Sequence, residues 1–211
     1  MNRQLLTPIA VIAVAGLVSA VVIGNHRGQT VVVVGDSLTA QSEAQIGLVL
    51  TADGWRPVVD GVSGSSIANR DVVFDWPTRI NELAALHPAV VVIELGTNDC
   101  ANCGEDLDAG IDALLAPLRH VGRVIWLTAQ TDVEFTRDPQ GVNEALRKAT
   151  VRWPNVEILD MGRHFAGHPE WHTGDGVHFN DVGSEQLAVL VRDALDAPPP
   201  PPPVRVLSAV A

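Results

Sequence analysis

The side chains of this 211-residue chain with the clearest chemical potential are a serine near its start and an aspartate–histidine pair near its end. Ser37 follows a short apolar run in the segment Gly35-Asp36-Ser37-Leu38. A serine at a strand-to-helix turn is exposed, and its own N–H lies at a helix start, where negative charge is favoured. Asp175 and His178 are three residues apart in a turn-like segment, so the carboxylate could hold one imidazole nitrogen while the other faces a ligand. These residue types are those of a nucleophile, a general base and a group that orients the base. For Ser37 alone, a plain helix N-cap is the alternative interpretation.

Two further segments could stabilise a developing negative charge. The segment from Asp60 to Ser66 contains Gly61 and Gly64, and glycine allows a backbone N–H to approach a ligand closely. The segment Gly96-Thr97-Asn98-Asp99 offers the Asn98 side-chain amide as a second donor. The structural alternatives are a simple turn for the glycines and an Asx-turn for Asn98, with Asp99 as a cap of the next segment.

The elements that must position these residues alternate along the chain. Continuous apolar runs of this kind are typical of buried parallel strands, and amphipathic stretches between them are typical of helices. Strands are predicted at 30–34, 57–60, 89–95, 121–128 and 156–160. Helices are predicted at 42–50, 76–86, 106–120 (ended or kinked by its proline), 142–151 and 182–195. This alternation predicts an α/β fold with a five-stranded parallel sheet covered on both faces. Since ligands bind at the carboxyl ends of such strands, all four segments above are expected at one edge.

The four segments, in this order, resemble the SGNH, or GDSL, hydrolase family, and the similarity runs from Thr30 to about Leu195. The resemblance implies a flavodoxin-like, three-layer α/β/α sandwich and a hydrolytic mechanism without metal or cofactor. It implies Ser37 as the nucleophile, His178 as general base and then acid, and Asp175 as the group that orients His178. The implied oxyanion hole consists of the backbone N–H groups of Ser37 and Gly64 and the side chain of Asn98. Asp36 is interpreted as structural, holding the turn.

The ends of the chain differ from this central part. Residues 5–24 are almost wholly apolar, which predicts that residues 1–24 are a signal peptide or a transmembrane anchor. A linker is predicted at 25–29, then the hydrolase domain at 30–197 and a proline-rich tail at 198–211. The basic residue near the start favours a cytoplasmic amino terminus, so the domain is expected outside the cytoplasm, either secreted or anchored.

Other signals carry less weight. The formal net charge of −11, without a basic stripe, argues against a nucleic acid partner. Cys100 and Cys103 would form a local disulfide in an oxidising compartment, although the same spacing also occurs at thiol–disulfide redox sites. His164, His168 and His172 recur every four residues, but a proline and a glycine between them disfavour one helical face and hence a metal site. That loop is expected to form a wall of the cleft, with Trp171 as a substrate contact.

The sequence therefore predicts an exported serine esterase that hydrolyses short or medium acyl esters, or acyl groups of the cell envelope, through a Ser-His-Asp triad. The expected partner is a small-molecule, lipid or glycan ester, with the membrane as a further partner if the anchor is uncleaved. An acyltransferase of the same fold, acting on envelope glycans or lipids, is the alternative. A thiol–disulfide oxidoreductase and an inert glycan-binding domain are the more remote ones.

Overall fold

The computed structural model describes residues 26–68, 74–100, 106–131 and 138–198. The predicted signal or anchor, Cys103 and nearly all of the proline-rich tail lie outside the described residues. Within those described ranges, none of the helices combines the length and the apolar character that a bilayer crossing requires.

In the described part of the chain, five strands form one sheet in which every neighbouring pair is parallel, in the order β2-β1-β3-β4-β5. The strands are β1 (Thr30–Gly35), β2 (Arg56–Gly61), β3 (Val90–Glu94), β4 (Arg123–Leu127) and β5 (Val156–Leu159). The predicted α/β class, strand count and three-layer sandwich are confirmed. Because β1 and β3 are neighbours at the centre, the turns at their carboxyl ends are brought together at one edge of the sheet.

The α-helices of the described residues begin at side-chain caps and lie on both faces of the sheet. They are α1 (Ser37–Ala52), α2 (Trp76–Ala84), α3 (Leu107–Leu115), α4 (Pro139–Arg152), α5 (Met161–Phe165) and α6 (Asp181–Asp196). An aspartate or asparagine caps each of them. Of the helix predicted at 106–120, the α-helical part ends at Leu115. A single 3-10 turn, Ala116–Leu118, follows it and contains the proline. The short α5 and the turn Pro169–Trp171 were not predicted.

Two apolar layers separate the helices from the sheet. Alternate residues of the central strands, such as Val91 and Ile93, pack on one face against α2, α3 and α4. Their neighbours, such as Val90 and Val92, pack on the other face against α1, α5 and α6. The interiors of the three central strands, β1, β3 and β4, are almost completely buried, which is why they appear in the sequence as continuous apolar runs rather than as alternating ones.

Candidate active site

Ser37 is placed at the site by the close junction of β1 and α1. The Asp36 side chain caps α1 by accepting from the Leu38 N–H at 3.0 Å, so Asp36, and not Ser37, is the N-cap. The alternative interpretation of Ser37 as a cap is therefore wrong. Ser37 is instead the first helical residue, where backbone N–H groups have no partner inside the helix and can face a ligand. Its side chain is half-buried.

His178 and Asp175 reach this serine from the loop before α6. The His178 Nε2 atom lies 2.9 Å from Ser37 Oγ, and His178 Nδ1 lies 2.7 Å from Asp175 Oδ2. The structure thus brings together three side chains that are 141 and 3 residues apart in sequence, in one hydrogen-bonded series. A serine hydroxyl beside an imidazole that a carboxylate orients can be deprotonated as it attacks an electrophile.

Asp175 is fixed by more than its histidine. Its Oδ1 atom accepts from the Thr173 hydroxyl at 2.8 Å and from the backbone N–H groups of Val177 and His178, both at 3.0 Å. These hydrogen bonds, with the His178 ring contributing most, hold the pKa of Asp175 well below its usual range. Asp175 therefore remains a carboxylate at any pH at which the domain would be assayed. A loss of activity at low pH must therefore come from the protonation of a group other than Asp175.

The loop after β2 carries the predicted oxyanion glycine. Gly64 is exposed and has a φ of +78°, a conformation that glycine adopts without strain. Gly61 differs, because a Cβ there would lie 2.2 Å from the backbone nitrogen of Ala40. Gly61 therefore serves close packing of β2 against α1, which leaves Gly64 as the glycine whose N–H can face a ligand.

Asn98 and Asp99 connect the turn after β3 to the same loop. The Asn98 amide donates to the Ser65 carbonyl at 2.8 Å and makes a long contact of 3.4 Å with Asp36 Oδ2. Asp99 is buried and accepts from the N–H groups of Ile67 and Ala68, each at 2.9 Å. The alternative interpretation of Asp99 as a cap of the next segment is wrong, because α3, the next helix, is capped by Asp106. Asp99 instead fixes the loop that contains Gly64.

Asn98→Ala is expected to lower turnover about 10²–10³-fold, the usual consequence of losing one oxyanion donor. Because Asn98 is exposed, we expect the melting temperature to change little. Steady-state kinetics on an activated ester and a thermal melt are the measurements. Asn81→Ala, a change at another exposed asparagine, is the matched control. Near-normal turnover in Asn98→Ala would remove Asn98 from the oxyanion hole.

A buried glutamate under Ser37 was not among the predicted site residues. Glu94, the last residue of β3, is 2% exposed and accepts from the N–H and hydroxyl of Thr39 at 3.2 and 3.0 Å. It also forms a side-chain hydrogen bond with Asp36, which is fully buried. Burial raises the pKa of both carboxyl groups, that of Glu94 well above its ordinary value. The available signal was a carboxylate inside an otherwise continuous apolar strand.

The loop before Asp175 contains several stacked aromatic rings, and its predicted role as a wall of the cleft stays a prediction. Trp171 stacks on the His168 ring with centroids 3.7 Å apart, and Phe165 stacks on Phe179 at 4.3 Å. His172 binds the buried Gln130 side chain through Nε2 at 2.9 Å. Trp171 is half-buried, and its predicted contact with substrate stays a prediction.

The three histidines of this loop do not converge on a common point. Among the described residues, the one group of three potential metal ligands with donor atoms within 4.8 Å of one another is His26, Asp53 and Asp196. These residues precede β1, follow α1 and end α6, so they lie at the edge of the sheet opposite Ser37. Cys100 follows the turn after β3 and is buried, but its predicted partner Cys103 lies outside the described residues, so that pairing stays a prediction.

Solved structures with this fold include a peptidoglycan O-acetyltransferase domain and an acetylxylan esterase. The catalytic domain of peptidoglycan O-acetyltransferase A from Streptococcus pneumoniae, solved with a methylsulfonyl adduct, is 19% identical with a TM-score of 0.60. That match covers 80% of this chain and 93% of the other. The acetylxylan esterase Axe2 from Geobacillus stearothermophilus is 18% identical with a TM-score of 0.60, covering 83% of this chain and 97% of the other. At these identities the likeness establishes the fold.

Curated relatives match over shorter stretches. The O-acetyltransferase OatA of Staphylococcus aureus is 32% identical over 103 residues, which are 48% of this chain and 15% of that protein. The platelet-activating factor acetylhydrolase IB subunit alpha2 of Gallus gallus is 25% identical over 114 residues, 51% of this chain and 48% of that protein. The aligned stretch thus spans less than half the length of each of these relatives.

The family profile of the GDSL-like lipases and acylhydrolases matches residues 33–186, which is more than half of the chain and includes Ser37, Asn98, Asp175 and His178. The chain belongs to the GDSL-like lipase/acylhydrolase family.

Proposed function

We propose that this protein is a serine esterase that hydrolyses short-chain carboxylic esters, with acetyl esters of glycans as the preferred class. The observation that carries the proposal is the hydrogen-bonded series from Ser37 through His178 to Asp175 at the carboxyl edge of the sheet. An ester carbonyl above Ser37 would have the nucleophile, the base and the N–H donors within reach of its reacting atoms.

The reaction would proceed in two halves. Ser37 Oγ attacks the carbonyl carbon while His178 Nε2 takes its proton, and Asp175 stabilises the resulting imidazolium. The N–H groups of Ser37 and Gly64 and the Asn98 amide bind the oxyanion of the tetrahedral intermediate. Collapse breaks the ester C–O bond as His178 returns the proton to the leaving alcohol, which leaves an acyl group on Ser37. Water, activated by the same histidine, then releases the carboxylic acid and restores the serine.

The surroundings of the triad favour a small acyl group. Ser63 precedes the proposed donor Gly64 and Thr97 precedes Asn98 in the chain, and these small residues offer little apolar surface for a long acyl chain. The side chains of His178 and Asp175 remain 38% and 46% exposed, so the site is open enough for a bulky alcohol such as a glycan. The acetyl group is also what the similar proteins are named for.

A second candidate, transfer of the acyl group to a glycan hydroxyl, is supported by the 32% identity with an O-acetyltransferase. The same residues can serve both reactions, because His178 can deprotonate an acceptor hydroxyl as readily as water. The outcome depends on which of the two reaches the acyl-enzyme first.

An extracytoplasmic location fits either reaction. The apolar segment 5–24 has the length and composition of a signal or anchor. Peptidoglycan, the glycan in the name of a structurally similar enzyme, lies outside the cytoplasmic membrane. We propose that the domain is exported and works on acyl groups of the cell envelope or on glycans beyond it.

A chain-length series of p-nitrophenyl esters, from acetate to palmitate, tests the proposal on the full chain in mild detergent. We expect kcat/KM to fall by about tenfold or more between acetate and butyrate, since misfit of a single methylene is worth about that much in a shaped pocket. Highest activity on decanoate or a longer ester would contradict the proposed acetyl esterase and indicate a lipid esterase instead.

Adding xylo- or chito-oligosaccharides to the p-nitrophenyl acetate reaction separates hydrolysis from transfer. Free acetate as the sole acyl product indicates an esterase. Acetylated oligosaccharide, detected by mass spectrometry, indicates a transferase. Ser37→Ala is the control for both reactions.

A further inference from the structure

The buried carboxyl pair formed by Asp36 and Glu94 has no role in the mechanism above, although it lies directly under the nucleophile. Glu94 is 2% exposed and Asp36 is fully buried. The two residues meet where β1 gives way to α1, since Gly35 pairs with Glu94 across the sheet and the Asp36 N–H donates to the Glu94 carbonyl at 3.1 Å. This junction is tightly packed: a Cβ on Gly35 would lie 2.0 Å from Thr39 Oγ1 and 2.6 Å from the Glu94 carbonyl oxygen.

The contacts of the pair determine which carboxyl carries a proton. Glu94 Oε2 accepts two hydrogen bonds from Thr39, and the Glu94 carboxyl group also forms a side-chain hydrogen bond with Asp36. Asp36 accepts from the Leu38 N–H and contacts the Asn98 amide, so it is surrounded by donors. Two buried carboxyl groups in hydrogen-bond contact are not both ionised, because burial disfavours each charge and the two negative charges would repel each other. The arrangement therefore fits a neutral Glu94 that donates to an ionised Asp36.

We infer that Glu94 and Asp36 share one proton and together form a positioning pair that controls how tightly Asp36 holds the Asn98 amide. This inference rests on the proposed function, because it concerns the Asn98 N–H that would bind the oxyanion. With Glu94 donating to it, Asp36 is a weakened acceptor, which matches its long 3.4 Å contact to Asn98 beside the 2.8 Å bond to Ser65. The amide is oriented by Ser65 and remains available to a developing oxyanion.

Loss of the Glu94 proton would reverse this effect. An Asp36 carboxylate without its donor would compete with the oxyanion for the Asn98 N–H, and a second negative charge would stand beneath the intermediate. The further ionisable group acting on Asp36 is Asp99, from the turn after β3, and His178 faces Ser37 from the loop before α6. Thr39, facing the pair from α1, is uncharged.

The variants Glu94→Gln and Glu94→Leu distinguish the effect of the Glu94 proton from the effect of filling the same space. The glutamine side chain can donate to Asp36 and accept from Thr39 but has no proton to lose, whereas the leucine side chain can do neither. We expect wild-type kcat to decline at alkaline pH as Glu94 loses its proton, and Glu94→Gln to keep kcat within a few-fold of wild type without that decline. We expect Glu94→Leu to lower kcat about tenfold or more with little change in KM, as for loss of a hydrogen bond to a charged group. Glu157→Gln, on β5 and paired with Arg123, is the matched control.

A double-mutant cycle separates positioning from general damage. If Glu94 acts through Asn98, Glu94→Leu should have little further effect in an Asn98→Ala background. Full additivity of the two changes would overturn the positioning role, because an unspecific loss of packing costs the same in either background.

A measurement that does not depend on catalysis tests the shared proton independently of the proposed esterase activity. The Asn98 side-chain amide, assigned by its loss in Asn98→Ala, is followed by proton–nitrogen NMR across pH, in His178→Gln so that the histidine does not contribute. We expect two titration steps in this parent and one in its Glu94→Gln derivative, the alkaline step being lost. An alkaline step that persists without Glu94, or an amide that does not respond to pH in the parent, would overturn the shared proton whether or not the protein hydrolyses esters.

The proton on Glu94 should also make the stability of the fold depend on pH. Burial raises the pKa of Glu94 in the folded chain above its value in the unfolded chain. The contribution of Glu94 to the free energy of unfolding is therefore fully present below the unfolded-state pKa, and it is lost as the pH rises through the folded-state pKa. Thermal melts should therefore show Glu94→Gln gaining stability relative to wild type as pH rises. Parallel pH profiles for the two proteins would contradict the neutral state of Glu94.

Discussion

Ser37→Ala is expected to lower kcat for p-nitrophenyl acetate by about 10⁴–10⁶-fold, because no other hydroxyl is expected at the point that His178 Nε2 faces. The substitution removes one oxygen from a half-buried side chain at the start of α1, and the Asp36 cap of that helix stays in place. We therefore expect an unchanged circular dichroism spectrum and a melting temperature close to that of wild type.

Thr51→Ala, which removes an exposed hydroxyl at the far end of the same helix, is the control for Ser37→Ala. It should retain full activity. A Ser37→Ala protein that is folded and keeps more than a few per cent of wild-type turnover would exclude Ser37 as the nucleophile. The two-step mechanism would then be wrong at its first step.

Asp175→Asn is expected to cost about 10⁴-fold in kcat with almost no structural change, as for a triad whose imidazole is held in the wrong tautomer. The asparagine oxygen can still accept from Thr173, Val177 and His178, which now bond to Asp175 Oδ1. Its amide nitrogen, however, would face His178 Nδ1, which must then act as the acceptor. The Nε2 atom would carry the proton toward Ser37 and could no longer take one from it.

Steady-state kinetics and a thermal melt of Asp175→Asn test this reasoning, with Asp193→Asn as an exposed aspartate remote from the triad. A loss of less than tenfold would mean that Asp175 only anchors the loop. Since the pKa of Asp175 lies well below its usual range, the kcat deficit should persist at every pH of the assay, and raising the pH should not restore it.

The centre of the sheet was predictable because β1, β3 and β4 are buried on both faces and therefore appear as largely apolar runs. The pairing of Ser37 with His178 followed from the same logic, since both residues were expected at the carboxyl edge of a parallel sheet. The predicted helix boundaries were less accurate than the predicted strands. The first helix begins five residues earlier than expected, because its start depends on the Asp36 cap rather than on apolar spacing.

The contacts that support the site were not predictable from local pattern. Glu94 meets Thr39 across 55 residues, and Asp99 meets Ile67 across 32. Asp99 resembles a local cap in sequence, and its buried bonds to the loop after β2 appear only in three dimensions. Glu94 lies within a valine-rich strand, where a carboxylate is unusual but its partner cannot be named from the strand alone.

The most direct test of Ser37 as the nucleophile is to find the residue that a serine-directed reagent modifies. The full chain is treated with phenylmethanesulfonyl fluoride, residual activity on p-nitrophenyl acetate is followed over time, and peptides are mapped by mass spectrometry. We expect one sulfonyl adduct, on Ser37, formed in proportion to the lost activity and absent from His178→Ala, whose serine lacks its base. Loss of activity with Ser37 unmodified and the adduct on another residue would contradict the proposed mechanism.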